Sequence, residues 1–241
     1  SKEHNEAVKC AIDELKKIFP KRKILLIASI EKDKTALQSF LYKFEPAYVF
    51  HFAALSSPKI CSKKPMSALD SNCKTTLTLL NAINNWRKET PTIIASSIYL
   101  KQILRGIYRV PIHELTQTTQ STGVYETTKR IVADLVSLYR QNGMNRISLL
   151  YLSNHESPFR GNDYAIPSIL EIVRDAKTGI IKRPYVIRDW SLATDTICNI
   201  LAVTCEGLGE DFVVGSGSSH SVAEVANFIC KLNNSPLLFQ N

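Results

Sequence analysis

The sequence has no C-x-x-C pair, no internal repeat or low-complexity stretch, and no apolar run near the roughly 18 residues that a membrane helix needs. Its six cysteines, Cys10, Cys61, Cys73, Cys198, Cys205 and Cys230, are widely dispersed. That spacing excludes a zinc ribbon or a disulfide framework and fits reduced, mostly buried thiols. The opening Ser1-Lys2-Glu3-His4-Asn5-Glu6 is too polar for a secretory signal. The expectation is a soluble intracellular protein with no membrane span, cytoplasmic or organellar, a mitochondrial setting included. Glycine and proline, 9 and 10 in 241 residues, are too sparse to mark a long linker. The basic groups Lys16-Lys17, Lys21-Arg22-Lys23, Lys63-Lys64 and Lys182-Arg183 lack the interleaved aromatics of a single-strand-binding platform.

What is present is enough for a full core: 44 % hydrophobic residues in a length that suits one or two domains. A formal charge of +8 and a pI near 9.2 favour anionic partners, an RNA-containing or organellar assembly among them. Residues 6–19 place Ala7, Ala11, Ile12, Leu15, Ile18 and Phe19 at helical spacing, with Pro20 as a stop. Strands over 23–28, 47–52, 92–95 and 147–152 alternate with helices over 35–44, 70–88 and 125–142, the pattern of a parallel, doubly wound sheet. After Pro167 shorter pieces follow: helices near 169–177, 194–205 and 221–231, and strands near 185–187 and 212–214. The organisation expected is an amphipathic helix over 1–22, an incomplete α/β domain over 23–166, and a small lobe over 167–241 interleaved with it.

Two motifs carry chemistry. Tyr125 and Lys129 form a Y-x-x-x-K pair, which a helix places on one face. An ammonium beside a phenol lowers its pKa and lets the oxygen exchange a proton during hydride transfer. Asn154-His155-Glu156-Ser157-Pro158-Phe159-Arg160-Gly161 packs an amide, an imidazole, a carboxylate and a guanidinium into a turn-like segment after a buried strand, the sheet edge at which open α/β folds bind ligands.

The second motif resembles the N-H-E-S-P-R-R-G signature of GDP-mannose 4,6-dehydratases, extended short-chain dehydrogenases/reductases that act on nucleotide sugars. Four other landmarks follow the family's order: His51-Phe52-Ala53-Ala54; Asn72 with Thr76 through Ala82; Arg188-Asp189-Trp190 with Asp195; and Asp211-Phe212-Val213-Val214 with Ser219-His220-Ser221-Val222. The resemblance implies an α/β fold, a truncated doubly wound (Rossmann-like) parallel sheet with a small C-terminal lobe. It also implies Tyr125 as catalytic acid/base, Lys129 as its partner and ribose contact, and Ser97 or Ser96 as the family's Ser/Thr. Asn154, Arg160 and Arg188 would hold the sugar nucleotide, Arg188 at its diphosphate, since a planar guanidinium pairs with phosphate oxygens. An ion pair of Arg188 with Asp189 or Asp195 is the alternative. Ala53, Ala54 and Lys129 would meet NADP. Family members usually dimerise through the helices corresponding to residues 72–86 and 125–142, although Thr127, Thr128 and Arg130 replace small residues there.

The departures are as informative. The family's G-x-x-G-x-x-G turn, whose helix receives the cofactor pyrophosphate, has no counterpart in the 23 or so residues before the first strand, and they contain no glycine. The adenine-contacting acid falls near Ser29. Ala95-Ser96-Ser97-Ile98-Tyr99-Leu100 lacks the glutamate that removes the C5 proton. Phe159 stands for the first arginine of R-R-G, and Ile166-Pro167-Ser168 for a basic pair. The expectation is a degenerate, inactive relative that needs no cofactor and serves as a structural or interaction module with protein assembly partners or as a homodimer. The alternative is an active NADP-dependent GDP-mannose 4,6-dehydratase or related dehydratase/epimerase.

Overall fold

The computed structural model describes Asp13, Lys17 and residues 34–100, 123–175, 179–181, 183–206, 208–235 and 239–240. The helix expected over 6–19, apart from helical Asp13 and Lys17, and the strand expected over 23–28 lie outside these residues.

Helix α1 (Lys34–Phe44) leads to strand β1 (Val49–His51). Short helices α2 (Pro58–Lys63) and α3 (Pro65–Leu69) each begin with proline, whose fixed φ suits a first helical turn. A π-helical turn at Asp70–Lys74 joins α3 to α4 (Thr75–Arg87), so the joined helical run starts at Pro65, five residues before the expected Asp70. Strand β2 (Thr92–Ser97), helix α5 (Val124–Gln141) and strand β3 (Ile147–Leu152) follow. Gly143, at φ +93°, ends α5 in the left-handed conformation that costs glycine least. Next come β4 (Asn154–Glu156), α6 (Ala165–Arg174), β5 (Gly179–Ile180), β6 (Ile187–Leu192), α7 (Ala193–Glu206), β7 (Phe212–Val214), β8 (Ser219–Ser221), α8 (Val222–Leu232) and β9 (Phe239–Gln240).

Strands β1-β2-β3-β7 form one sheet in that order, every pair parallel, as the alternation of strands and helices implies. The pleat divides its side chains between two cores. Ile94, Ile147 and Leu149 pack with Leu37 and Leu41 of α1, Leu80 and Ile83 of α4, and Val132 and Val136 of α5. Ile93, Leu150 and Val214 pack on the other face with Ile200 of α7. Cover on both faces explains why β2 and β3 read as continuous apolar or β-branched runs rather than alternating ones.

The small lobe is a second sheet, β4-β6-β8, beside a helix pair in which Ile169 and Val173 of α6 meet Ala226, Ile229 and Cys230 of α8. Helix α8 starts on a capping box: the Glu224 amide donates to Ser221 Oγ at 3.1 Å, and the Ser221 amide to Glu224 Oε2 at 2.6 Å. Two expectations shift here. The strand expected at 185–187 lies at Ile187–Leu192, and the turn-like segment after β3 opens as strand β4. Arg188, Asp189 and Ser191 hid β6 because a small sheet with one open face tolerates polar side chains that a buried strand would not. Among the described residues no helix is long and apolar enough to cross a membrane.

Asp211 ties α5 to the sheet. Its Oδ1 accepts from Arg140 Nη2 at 2.6 Å and from the Leu149 amide at 3.2 Å, while Tyr151 Oη donates to Oδ2 at 3.4 Å. Removing one member of so buried a pair strands the other charge and an amide. Asp211→Ala should therefore lower the unfolding free energy by about 3 kcal/mol, read as a fall in the urea midpoint at unchanged slope.

Candidate functional site

Tyr125 and Lys129 occupy the first two turns of α5, facing the carboxyl end of β2. Tyr125 is 7 % exposed and packs with Cys61 and Ala68, and Lys129 is 5 % exposed. Lys129 Nζ donates to the Ala95 carbonyl at 2.9 Å and stands 6.0 Å from the Tyr125 ring centroid. Among the described residues no carboxylate is within ion-pair reach of this ammonium. Burial pulls its pKa down to about 8, and the Cys73 and Cys61 thiols oppose that shift. Burial raises both thiols in turn.

His51, at the end of β1, lies in the same buried zone. Thr76 Oγ1 donates its one proton to the Asn72 carbonyl at 2.6 Å, so the 3.0 Å contact between Thr76 Oγ1 and His51 Nε2 is donated by the imidazole. Burial, and secondarily the Lys129 charge, hold His51 down to about 4, leaving it a neutral Nε2–H tautomer.

Asn72 is the residue that sequence reasoning treated only as a family landmark. It is 2 % exposed in the π-helical turn. Its Oδ1 accepts from the Leu55 amide at 2.7 Å, and its Nδ2 donates to the Leu55 carbonyl at 3.1 Å and to Thr128 Oγ1 at 2.9 Å. Thr128 Oγ1 donates to the Tyr125 carbonyl at 2.8 Å. One carboxamide thus holds the loop carrying Ala53 and Ala54 against the helix carrying Tyr125 and Lys129. The available signal was a polar residue inside a helix otherwise reading as core.

Ala53 is exposed and Ala54 half-buried at the carboxyl end of β1. The pleat of β2 puts Ser96 on the face of Ile94, the side of α5, and Ser97 on the face of Ile93. Both serines are buried, and Ser96 Oγ has no hydrogen-bond partner among the described residues.

The remaining candidates sit on the small sheet. Register pairs Asn154 with Trp190 and Glu156 with Leu192 in parallel, and Arg188 with His220 in antiparallel, so these six side chains share one face. The other face is used internally. Asp189 Oδ1 accepts from the Ser216 amide at 2.9 Å and from Ser216 Oγ at 2.7 Å, and Oδ2 from the Gly217 amide at 2.9 Å. A Cβ on Gly215 would fall 2.5 Å from Asp189 Oδ2 and 2.6 Å from Ser153 Oγ, so any larger residue would have to displace the Asp189 carboxylate and the Ser153 hydroxyl. Ser191 Oγ meets Thr196 Oγ1 at 2.9 Å. Asp189, one of the two carboxylates named as alternative partners of Arg188, thus holds the β7–β8 loop, and Arg188 Nη1 donates to the Ile187 carbonyl at 2.8 Å.

Arg160 is engaged inside the fold. Its Nη1 donates to the His155 carbonyl at 2.6 Å, its Nε faces Glu156 Oε2 at 3.2 Å, and its guanidinium lies 3.8 Å from the Tyr164 ring centroid. The Nε–Oε2 approach is an ion pair without hydrogen-bond alignment. Tyr164 Oη meets Ser56 Oγ at 2.8 Å, and Lys59 Nζ meets Asp163 Oδ1 at 3.1 Å, joining this loop to the one after β1. Phe159 beside it is 60 % exposed. No group of three or more His, Cys, Asp or Glu suited to a metal occurs among the described residues.

With this geometry the chain matches the GDP-mannose 4,6 dehydratase family model over residues 4–234. It is 26 % identical over 206 residues to GDP-mannose 4,6 dehydratase 2 of Caenorhabditis elegans, covering 81 % of this chain and 52 % of that protein. It is 26 % identical over 216 residues to the GDP-mannose 4,6-dehydratase of Vibrio cholerae, covering 86 % and 57 %. The chain thus spans about half the length of these relatives. The fold is that of UDP-glucose 4-epimerase from Bifidobacterium longum, solved with NAD+ and UDP, at TM-score 0.77 and 21 % identity over 96 % of this chain and 74 % of that one. It is likewise that of dTDP-glucose 4,6-dehydratase from Bacillus anthracis, solved with NAD, at TM-score 0.77 and 17 % identity over 95 % and 70 %.

The buried pair sets the pH dependence of stability. Lys129 is depressed on folding, so the unfolded chain binds more protons between about pH 8 and the ordinary lysine value, and stability rises with pH through that window. Lys129→Met should raise the thermal midpoint at pH 7 and abolish that rise, which is worth on the order of 3 kcal/mol. A midpoint lowered at pH 7 would show that the buried ammonium stabilises the fold. His51 is likewise depressed, so its contribution is complete above about pH 6.5 and is lost as pH falls towards 4. His51→Gln should flatten that acid limb in chemical denaturation.

Proposed function

The chain belongs to the GDP-mannose 4,6 dehydratase family, a family of nucleotide-sugar enzymes, and from that premise we propose that it is a catalytically silent member serving as a folded structural or interaction module. The observation that carries this reading is the internal engagement of Arg160. The guanidinium that the family signature would aim at the substrate instead donates to a carbonyl, stands in an ion pair with a carboxylate and lies against an aromatic ring of its own loop. Two changes support it. The stretch from Ala95 to Leu100 offers no carboxylate for removing a sugar C–H proton. Phe159 and Ile166-Pro167-Ser168 put neutral groups where the family signature is basic, and each such change weakens anion binding. The positive net charge fits an anionic assembly partner.

A second reading, an active NADP-dependent dehydratase or epimerase, is favoured by Lys129. Among the described residues this buried ammonium has no carboxylate partner, which costs stability, and it stands beside Tyr125 at the spacing that proton transfer needs. In that case Lys129 would hold the cofactor's ribose, Tyr125 would exchange the proton at the sugar hydroxyl, and NADP would accept the hydride.

The test uses the full-length native protein with NADP(H) and GDP-mannose, following product formation and cofactor absorbance. The expected result is no turnover, and a Tyr125→Phe variant with unchanged biological effect. Turnover that Tyr125→Phe abolishes would sink the silent reading.

A further inference from the structure

Strand β1 is packed on one face and open on the other. Its side chains alternate, so Val49 and His51 turn to the core beneath α1 and α4, where Val49 packs and His51 meets Thr76. Tyr48, Phe50 and Phe52 fall on the opposite face, that of Ile93, because register sets Phe50 beside Ile93. The core on that side gathers Ile93, Leu150, Val214 and Ile200 of α7. Beyond it the three rings form a ladder: the Tyr48 and Phe50 centroids lie 6.4 Å apart, those of Phe50 and Phe52 6.0 Å, and each pair is inclined by 28°. The three residues stay 43, 39 and 41 % exposed. Among the described residues they stand on the end strand of the main sheet. Parallel strands are stable with both faces covered, and a contiguous apolar stripe left open marks a contact surface.

We infer that the aromatic stripe of β1 is the seat of the chain's own amphipathic segment, residues 6–19, docked by its apolar side. At about 100° per residue, Ala7, Ala11, Ile12, Leu15, Ile18 and Phe19 occupy an arc of about 140° on a helix. Asp13 and Lys17, both helical and exposed, fall on the other side of that wheel. The polar side therefore meets water while the apolar arc is free to meet the rings. The lengths agree, since a helix over 7–19 runs about 18 Å and the stripe from Tyr48 to Phe52 about 13 Å. The tether also reaches. Helix α1 begins at Lys34 on the opposite face of the sheet, and residues 20–33 can span about 45 Å at full extension, enough to pass round the β1 edge. A segment so tethered has an effective concentration on the order of millimolar, so it displaces a separate partner of equal affinity. The seat uses neither Tyr125 nor Arg160, so it stands whether or not the chain is catalytically silent.

The experiment places the photoreactive residue p-benzoylphenylalanine at Phe50 of the full-length protein. An equal mixture of light-nitrogen and heavy-nitrogen chains is irradiated and the adducts are mapped by mass spectrometry. The expected result is adducts within single chains that fall on residues 7–19. Leu15→Asp combined with Ile18→Asp should cut their yield at least fivefold while circular dichroism of the rest stays native, and Asp13→Asn, on the outer side, should leave the yield unchanged. A milder cycle covers the case in which the charged pair unfolds the protein: Leu15→Ala with Ile18→Ala should lower the urea midpoint less than half as much in a Phe50→Ala, Phe52→Ala background as in the native one. Adducts that join light to heavy chains would make a second copy the occupant and overturn the intramolecular seat. Adducts that avoid residues 7–19 would overturn it as well. Equal midpoint shifts in the two backgrounds, or a yield indifferent to Leu15→Asp and Ile18→Asp in folded protein, would show that the apolar arc does not meet the stripe.

Discussion

The three hydrogen bonds of the Asn72 carboxamide are the contact on which the rest of the site depends. They clamp both backbone groups of Leu55 and the Thr128 hydroxyl, so the loop after β1, the π-helical turn and the start of α5 share one anchor. A second chain runs from the same turn, from the Asn72 carbonyl through Thr76 to His51. Because these groups are buried, each is costly to leave unpaired, and the network specifies one arrangement of the three segments. Lys129 is tolerated in the interior on that condition. Its ammonium finds a carbonyl rather than a counter-ion, and a looser surround would let it reach water.

The second organising constraint is the doubly covered sheet. Helices α1, α4 and α5 cover one face and α7 the other, which leaves the carboxyl ends of β1, β2 and β3 as the place where polar side chains converge. Tyr125, Lys129, Ser96 and the Ala53-Ala54 loop gather there because the strands end there. The small sheet is reached directly, through Ser153, from β3 to β4. Its register sorts the remaining candidates into an inward face occupied by Asp189, Ser191 and His155 and an outward one carrying Asn154, Trp190, Arg188 and His220.

Much of the fold was legible because its signals are strong and local. The Ile147–Leu152 strand coincides with its apolar run, and α5 departs from its expected bounds by one residue at each end. Less legible were elements whose formation depends on distant partners. Helix α3 and the π-helical turn carry Ser67, Asp70, Ser71 and Asn72, a polar run that is helical because Asn72 finds Leu55 and Thr128. Strand β6 is broken by charge in the sequence and stabilised by β4 and β8 in space. Within the site, Tyr125 and Lys129 could be named from spacing. The engagement of Arg160 by Glu156 and Tyr164, and of Asp189 by the β7–β8 loop, could not, because sequence patterns identify a residue type and not its partner.

The sequence by itself determined the family and the order of strands and helices, since both follow from short-range periodicity and from motifs read along the chain. It also set the inventory of titratable groups. Tertiary structure alone decided which of those groups are spent on the fold and which face outward. That division depends on strand register and burial: a one-residue slip moves every side chain of a strand to the other face, and a lysine that would be an ordinary surface cation in water has its pKa pulled down by burial on the inner side of α5.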